Sequence, residues 1–176
     1  MNKIKKLKEI RNKLKNKKPS IGSWMQICDS DVAEIFGFAG YDWIAIDLEH
    51  GLFDKKYLCN IFRSLELGNT LPLVRVESSN FKDLKYPMEA GAAGVIVPMI
   101  KDSDEVKYVV DNVKWPPAGS RGVGFSRANL YGKNFNNYSK LAIQPFIVIQ
   151  IENIYAVNNL DSILKNVRVD AILIGP

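Results

Sequence analysis

The sequence predicts an α/β fold in which parallel strands alternate with helices, closed as a barrel or wound as an open sheet. Three observations carry this. Short apolar runs return along the chain with helix-length amphipathic segments between them, the pattern of βαβ units. Trp43-Ile44-Ala45-Ile46 runs straight into Asp47-Leu48-Glu49-His50-Gly51, so one strand ends on two carboxylates and the only histidine in the chain. Such sheets present their sites at the carboxyl ends of strands. Finally, the 176 residues are 47% hydrophobic, which suits one domain with a substantial core.

The elements follow in order. Ile21 to Ile27 reads as a strand, and Asp29 or Ser30 is placed to cap a helix over Val32 to Ala39. Ile44 to Leu48 is the second strand, followed by a helix from Asp54 to Leu67. Leu71 to Val76 is the third, with a helix over Phe81 to Ala90. Val95 to Pro98 is the fourth, with Asp102 or Ser103 capping a helix that ends at Val113. Phe146 to Ile151 is the fifth, with a helix from Ala156 to Leu164, and Ala171 to Ile174 is the sixth. No linker or second domain interrupts residues 19–176.

The net charge of +5 belongs to one segment. Residues 1–18 hold nine Lys or Arg against one Glu, and the remainder is slightly acidic. Ile4, Leu7, Ile10 and Leu14 recur there at helical spacing, so residues 1–18 read as a basic amphipathic helix that plugs one end of the domain. No aromatic residues interleave with the lysines, which argues against a nucleic-acid surface. No apolar run approaches the ~20 residues of a membrane span. The lysine-rich start lacks a secretory h-region. Cys28 and Cys59 have no CxxC spacing and read as small buried hydrophobes in a reducing compartment, so a cytoplasmic protein is expected.

The strand ends carry the chemistry. In Pro72-Leu73-Val74-Arg75-Val76, alternation puts Leu73 and Arg75 on one face and the valines on the other. An arginine inside such a strand is costly unless it meets an anion. In Ile147 to Glu152, Val148, Gln150 and Glu152 share a face, and the isoleucines fill the opposite one. Arg75, Gln150 and Glu152 are therefore expected at one mouth, with Asp47, Glu49 and His50 beside them. Carboxylates there suit a hard divalent cation held through oxygen, and an arginine with a metal would stabilise a developing enolate. An internal salt-bridge network without a ligand is the simpler alternative. The segment from Lys114 to Lys140 is unusually long for a connection. Its Gly119, Gly122 and Gly124 with Arg121 would either wrap a substrate carboxylate or phosphate or form a surface turn.

These residues, taken together, resemble a known family. Gly40-Tyr41-Asp42-Trp43 with Ile46 to Gly51, Val74-Arg75-Val76, Ala90-Gly91-Ala92 with Gly94-Val95 and Val97-Pro98, Pro116-Pro117 with Gly119 and Arg121-Gly122, and Gln150-Ile151-Glu152 follow in one order. The likeness, to the HpcH/HpaI aldolases, runs over essentially all of the chain after residue 19. It implies a TIM (β/α)8 barrel of the phosphoenolpyruvate/pyruvate superfamily, with six of the eight βα units present. The implied activity is metal-dependent cleavage of a 4-hydroxy-2-oxo acid to pyruvate and an aldehyde, with Mg2+, Mn2+ or Co2+ as cofactor, in a homo-oligomer.

The resemblance also assigns roles by position. His50 matches the proton-shuttling histidine, and Arg75 the arginine on the pyruvate oxygen. Glu152 matches one metal carboxylate, and Gln150 lines the pyruvate pocket with Gly175 and Pro176. Glu89 falls where the family places an acidic partner for the histidine, usually Asp, and Arg121 would shape the substrate mouth. Family members read Gly-Pro-x-Asp after the sixth strand, and that Asp is the second carboxylate on the metal. Here the sequence stops at Gly175-Pro176, so the second ligand is expected beyond Pro176. A fragment, a truncated inactive product and a barrel completed by another chain all fit this ending. A CoA-thioester lyase of the citrate lyase β type would share the Arg and Glu positions. The Glu49-His50 pair and the proline-rich segment favour the free-acid aldolases. A non-enzymatic subunit is the remaining alternative.

Overall fold

In the computed structural model, which describes residues 1–166 and 168–175, the order of elements is α1 (Lys3–Lys15), β1 (Gly22–Met25), α2 (Ser30–Phe38), β2 (Trp43–Asp47), α3 (Leu58–Leu67), β3 (Leu71–Arg75), α4 (Phe81–Ala90), β4 (Gly94–Val97), α5 (Ser103–Val113), α6 (Phe135–Ala142), β5 (Phe146–Ile151), α7 (Ile154–Asn158), α8 (Leu160–Leu164) and β6 (Ala171–Ile174). The strands form one parallel sheet in chain order, β1 to β6. An order without reversal, with right-handed crossovers, puts the connecting helices on one face and leaves the other to close on itself as in a barrel.

Side-chain alternation divides the core accordingly. Ile44, Ile46, Val74, Val95, Val97, Ile147 and Ile149 pack under the helices with Leu58, Ile61, Phe62, Val106 and Val110. Ala45, Leu73, Ile96 and Val148 face the interior. Gly94 marks a close approach between neighbouring strands: a Cβ there would lie 2.1 Å from the Phe146 carbonyl oxygen.

The amino-terminal helix closes the end of the barrel where the strands begin. Leu7 and Ile10 are buried against Leu71, Phe146 and Trp115, each burial stabilising by about 1.5–3 kcal/mol. Its basic face is tied down as well as solvated. Arg11 Nε and Nη2 donate to the two oxygens of Asp170 at 2.6 and 3.0 Å, and Lys13 Nζ donates to Asp42 at 2.7 Å.

Three expectations needed adjustment. The helix expected over Ala156 to Leu164 is two short ones, α7 and α8, broken at Asn159, whose side-chain amide donates to the Lys101 carbonyl. Asn favours such local and tertiary bonds over helix continuation. The long segment after Lys114 is not all loop. Its end forms α6, where Tyr138, Leu141 and Ala142 are buried at helical spacing. The first strand is confined to Gly22–Met25. Strands β1 and β6 have no second strand partner among the described residues. Between them an apolar cavity of about 170 Å³ is lined by Trp24, Trp43, Val148 and Leu173 with Ile10 and Leu14 of α1.

Candidate active site

The carboxyl ends of the strands assemble a charged mouth, and its centre is a fork between two neighbouring strands. Register places Asp47 beside Arg75. Arg75 Nε donates to Asp47 Oδ1 at 2.9 Å and Nη2 to Oδ2 at 2.6 Å, the planar bidentate match that guanidinium and carboxylate make. Asp47 also accepts from Gln26 Nε2 at 2.7 Å and from the backbone N–H groups of Glu49 and His50. The Trp24 ring lies 4.6 Å from the Arg75 guanidinium carbon, adding a cation–π contact.

Burial alone would raise the Asp47 carboxyl, but the bonds from Arg75, Gln26 and the backbone outweigh it and hold it at about 2, from 3.8. Because the folded value lies below the free value, this stabilisation is complete above about pH 4 and is lost as pH falls through about 2. The thermal midpoint should therefore drop on acidification between those values. An Asp47→Asn variant should lose this part of the acid dependence, and an unchanged acid profile would refute the assignment.

Around the fork lie oxygens with unspent capacity. Glu49 Oε2 is 3.3 Å from Arg75 Nη1 but is a buried oxygen without a hydrogen-bond partner. Burial pushes the Glu49 carboxyl up, partly countered by Arg75 and His50 and reinforced by Glu152 and Asp47. Gln150 Oε1 is likewise buried and unpartnered, while Gln150 Nε2 donates to Glu152 Oε2 at 2.5 Å. The backbone N–H of Met99, a residue with φ 57°, donates to Glu152 Oε1 at 2.5 Å. Gly175 lies against both side chains: a Cβ there would come 2.9 Å from Glu152 Cβ and 3.1 Å from Gln150 Nε2. His50 stands at the rim, with 66% of its side chain exposed and Nε2 3.9 Å from Glu49 Oε2.

Arg75, Gln150, Glu152, Gly175 and His50 thus meet at one mouth. Glu89 and Arg121 do not join them. Arg121 is fully buried, and its Nη1 donates to Glu89 Oε1 at 2.6 Å, its Nη2 to the Tyr138 hydroxyl and its Nε to the Val113 carbonyl. The Trp115 ring lies 5.5 Å away. A connection from a helix to the next strand lies where the strands begin, so Lys114 to Lys140 runs at the end opposite the mouth. Glu89, at the last turn of α4, is at that same end. The geometry therefore gives the glycine-bearing segment with Arg121 a structural place and leaves His50 with Glu49 as its nearest carboxylate. Pro176 lies outside the described residues. Trp24 and Gln26 escaped the sequence reading, although their alternation with Gly22 on the first strand marks them as facing the same way as Asp47.

A hard divalent cation fits these donors in kind. The unpartnered Gln150 and Glu49 oxygens and the Glu152 carboxylate are all oxygen ligands,. In number they fall short of a closed set, because no group of three or more His, Cys, Asp or Glu suited to a metal ion occurs among the described residues.

The family model for HpcH/HpaI aldolase/citrate lyase matches residues 20–176. The chain belongs to this family. It is 34% identical over 173 residues to a hydroxypyruvate/pyruvate aldolase of Roseobacter denitrificans, covering 97% of this chain and 67% of that protein. It is 32% identical over 165 residues to a 2-dehydro-3,6-dideoxy-6-sulfogluconate aldolase of Pseudomonas putida, covering 93% and 64%. A crystal structure of an HpcH/HpaI aldolase/citrate lyase family protein from Burkholderia cenocepacia J2315 superimposes with a TM-score of 0.88 at 28% identity, covering 96% of this chain and 68% of that one. The chain thus spans about two thirds of the length of these relatives. The HpcH/HpaI likeness read from its motifs holds, and so does the six-stranded part of the barrel that it implied. The two aldolases are named for different substrates, so membership of the HpcH/HpaI family leaves the substrate open.

Proposed function

We propose that this chain carries the pyruvate-handling half of an aldolase site, for reversible cleavage of a 4-hydroxy-2-oxo acid to pyruvate and an aldehyde. The observation that carries the reading is Arg75. Its guanidinium is immobilised by Asp47 and Trp24, while Nη1 lies 3.3 Å from the otherwise unpartnered Glu49 Oε2. A fixed cation at the end of an apolar strand is preorganised for an oxyanion that forms during reaction.

In cleavage, a base takes the proton from the C4 hydroxyl, the C3–C4 bond breaks, and its electron pair moves onto the C2 oxygen as an enolate. Arg75 holds that oxygen and compensates its growing charge. His50, exposed at the rim where the departing aldehyde leaves, moves the hydroxyl proton. Gln150 and Gly175 set the floor on which the pyruvate part lies. Glu152 would hold a divalent cation, which when bound polarises the 2-oxo group. The implied substrates are small free acids. No helix among the described residues is long and apolar enough to cross a membrane.

The test is exchange of pyruvate methyl protons into D2O, followed by NMR with and without Mn2+ or Co2+. Metal-dependent exchange supports the reading, and its absence from folded protein overturns it in favour of a non-catalytic subunit. The Glu152→Gln variant should lose the metal dependence, with Mn2+ binding weakened by roughly 10–100-fold in a direct titration. Unchanged Mn2+ affinity would remove Glu152 from the metal. The matched family model also covers citrate lyase, so saturable CoA binding would turn the reading towards a thioester lyase.

A further inference from the structure

A second cavity, of about 450 Å³, lies at the closed end of the barrel, between the start of α1 and the stretch from Arg127 to Leu141. It is remote from the mouth, and the proposed reaction makes no use of it. The charged side chains in its lining are Lys3, Arg127 and Glu66, and Met1 lines it as well. Lys3 Nζ and Arg127 Nη1 both reach Glu66 Oε1, at 2.8 and 3.0 Å, so one carboxylate faces two cations. The surplus positive charge sits in a secluded place: burial pushes the Lys3 ammonium below its usual range despite the attraction of Glu66.

Arg127 is the element that looks built for a ligand. Only 9% of its side chain is exposed, and Nη1 is spent on Glu66 and the Ala90 carbonyl. Nε and Nη2 have no hydrogen-bond partner among the described residues, and Arg127 lines the cavity. Gly91 makes room for it, because a Cβ there would lie 2.3 Å from Arg127 Nη1. The same cavity receives the first turn of the 13-residue α1, where the Asn2 side chain accepts from the Lys5 N–H and no acidic residue offsets the positive end of the helix,. Asn2, Asn134 and Asn137 add amides, and Ile4, Leu130 and Leu141 add an apolar wall.

We propose that this cavity is a second ligand site, taking a small organic anion whose carboxylate or phosphate sits on the free edge of Arg127 and the start of α1. A planar guanidinium edge matches either oxyanion. A ligand there would clasp α1 to the barrel, coupling occupancy to how firmly that end is closed.

The experiment is an amide NMR titration of the whole chain with inorganic phosphate and, separately, with succinate. The expected result is saturable shifts confined to residues 1–6 and 127–141 with at least one of the two. Phosphate alone would identify a phosphate-ended ligand, and succinate alone a carboxylate. Asn137→Trp fills the cavity from one exposed position on α6 without touching the charges, and Arg127→Gln removes the free edge. Each should weaken binding by roughly tenfold or more, whereas Arg75→Ala at the mouth should leave it unchanged. Absence of saturable shifts with both anions, or equal affinity in Asn137→Trp, overturns the proposal.

Discussion

Replacing Arg75 with lysine should lower metal-dependent exchange of pyruvate methyl protons by about 10²–10³-fold, the scale of losing one preorganised oxyanion donor. The substitution keeps the positive charge, so the loss would report geometry. A lysine ammonium is a point charge on a flexible stem. It cannot make two parallel bonds to Asp47, stack under Trp24 and still keep a third nitrogen beside Glu49, as Arg75 does at 2.9, 2.6, 4.6 and 3.3 Å. Exchange rates of the two proteins at saturating Mn2+ and pyruvate decide the matter. A loss smaller than about threefold would mean that charge alone suffices, and the role given to the fork would fall.

Arg121→Met should have the opposite signature: a cost of about 3–5 kcal/mol in folding stability, as for breaking a buried pair from one side, with exchange per folded molecule intact. Arg121 is wholly buried and bonds to Glu89, Tyr138 and Val113. Methionine leaves those acceptors unpaired and forfeits the contact with Trp115. Urea denaturation measures the first effect, and the NMR exchange assay corrected for folded fraction measures the second. Glu89→Gln separates the two roles open to that residue. If Glu89 serves Arg121, stability falls and the pH profile of exchange stays put. If it serves His50, as family position implies, the pH profile moves and stability barely changes.

Local patterning determined much of this protein. Period-two alternation in Leu73-Val74-Arg75 and Val148-Ile149-Gln150 is a property of any strand, so which side chains face the interior followed from the residues themselves. The same holds for Asp29 and Asp102, whose carboxylates cap the helices after them,. Leu7 and Ile10, one helical turn apart, announced a helix with a buried stripe. The five motifs in order carried the family.

Tertiary structure decided the partnerships. Nothing within either strand says that Arg75 spends its fork on Asp47; that pair exists because the β2–β3 register sets the two residues side by side. Trp24 on β1 and Gln26 just after it complete the fork, which β1 reaches only when the sheet forms. Glu89 and Arg121 are 32 residues apart and meet because a helix end and a helix-to-strand connection share the closed end of the barrel. Alternation and capping depend on neighbours a few residues away, so sequence contains them. Ion pairs across strands depend on register and on which end of the barrel a segment occupies, and those are settled only when the whole sheet is assembled.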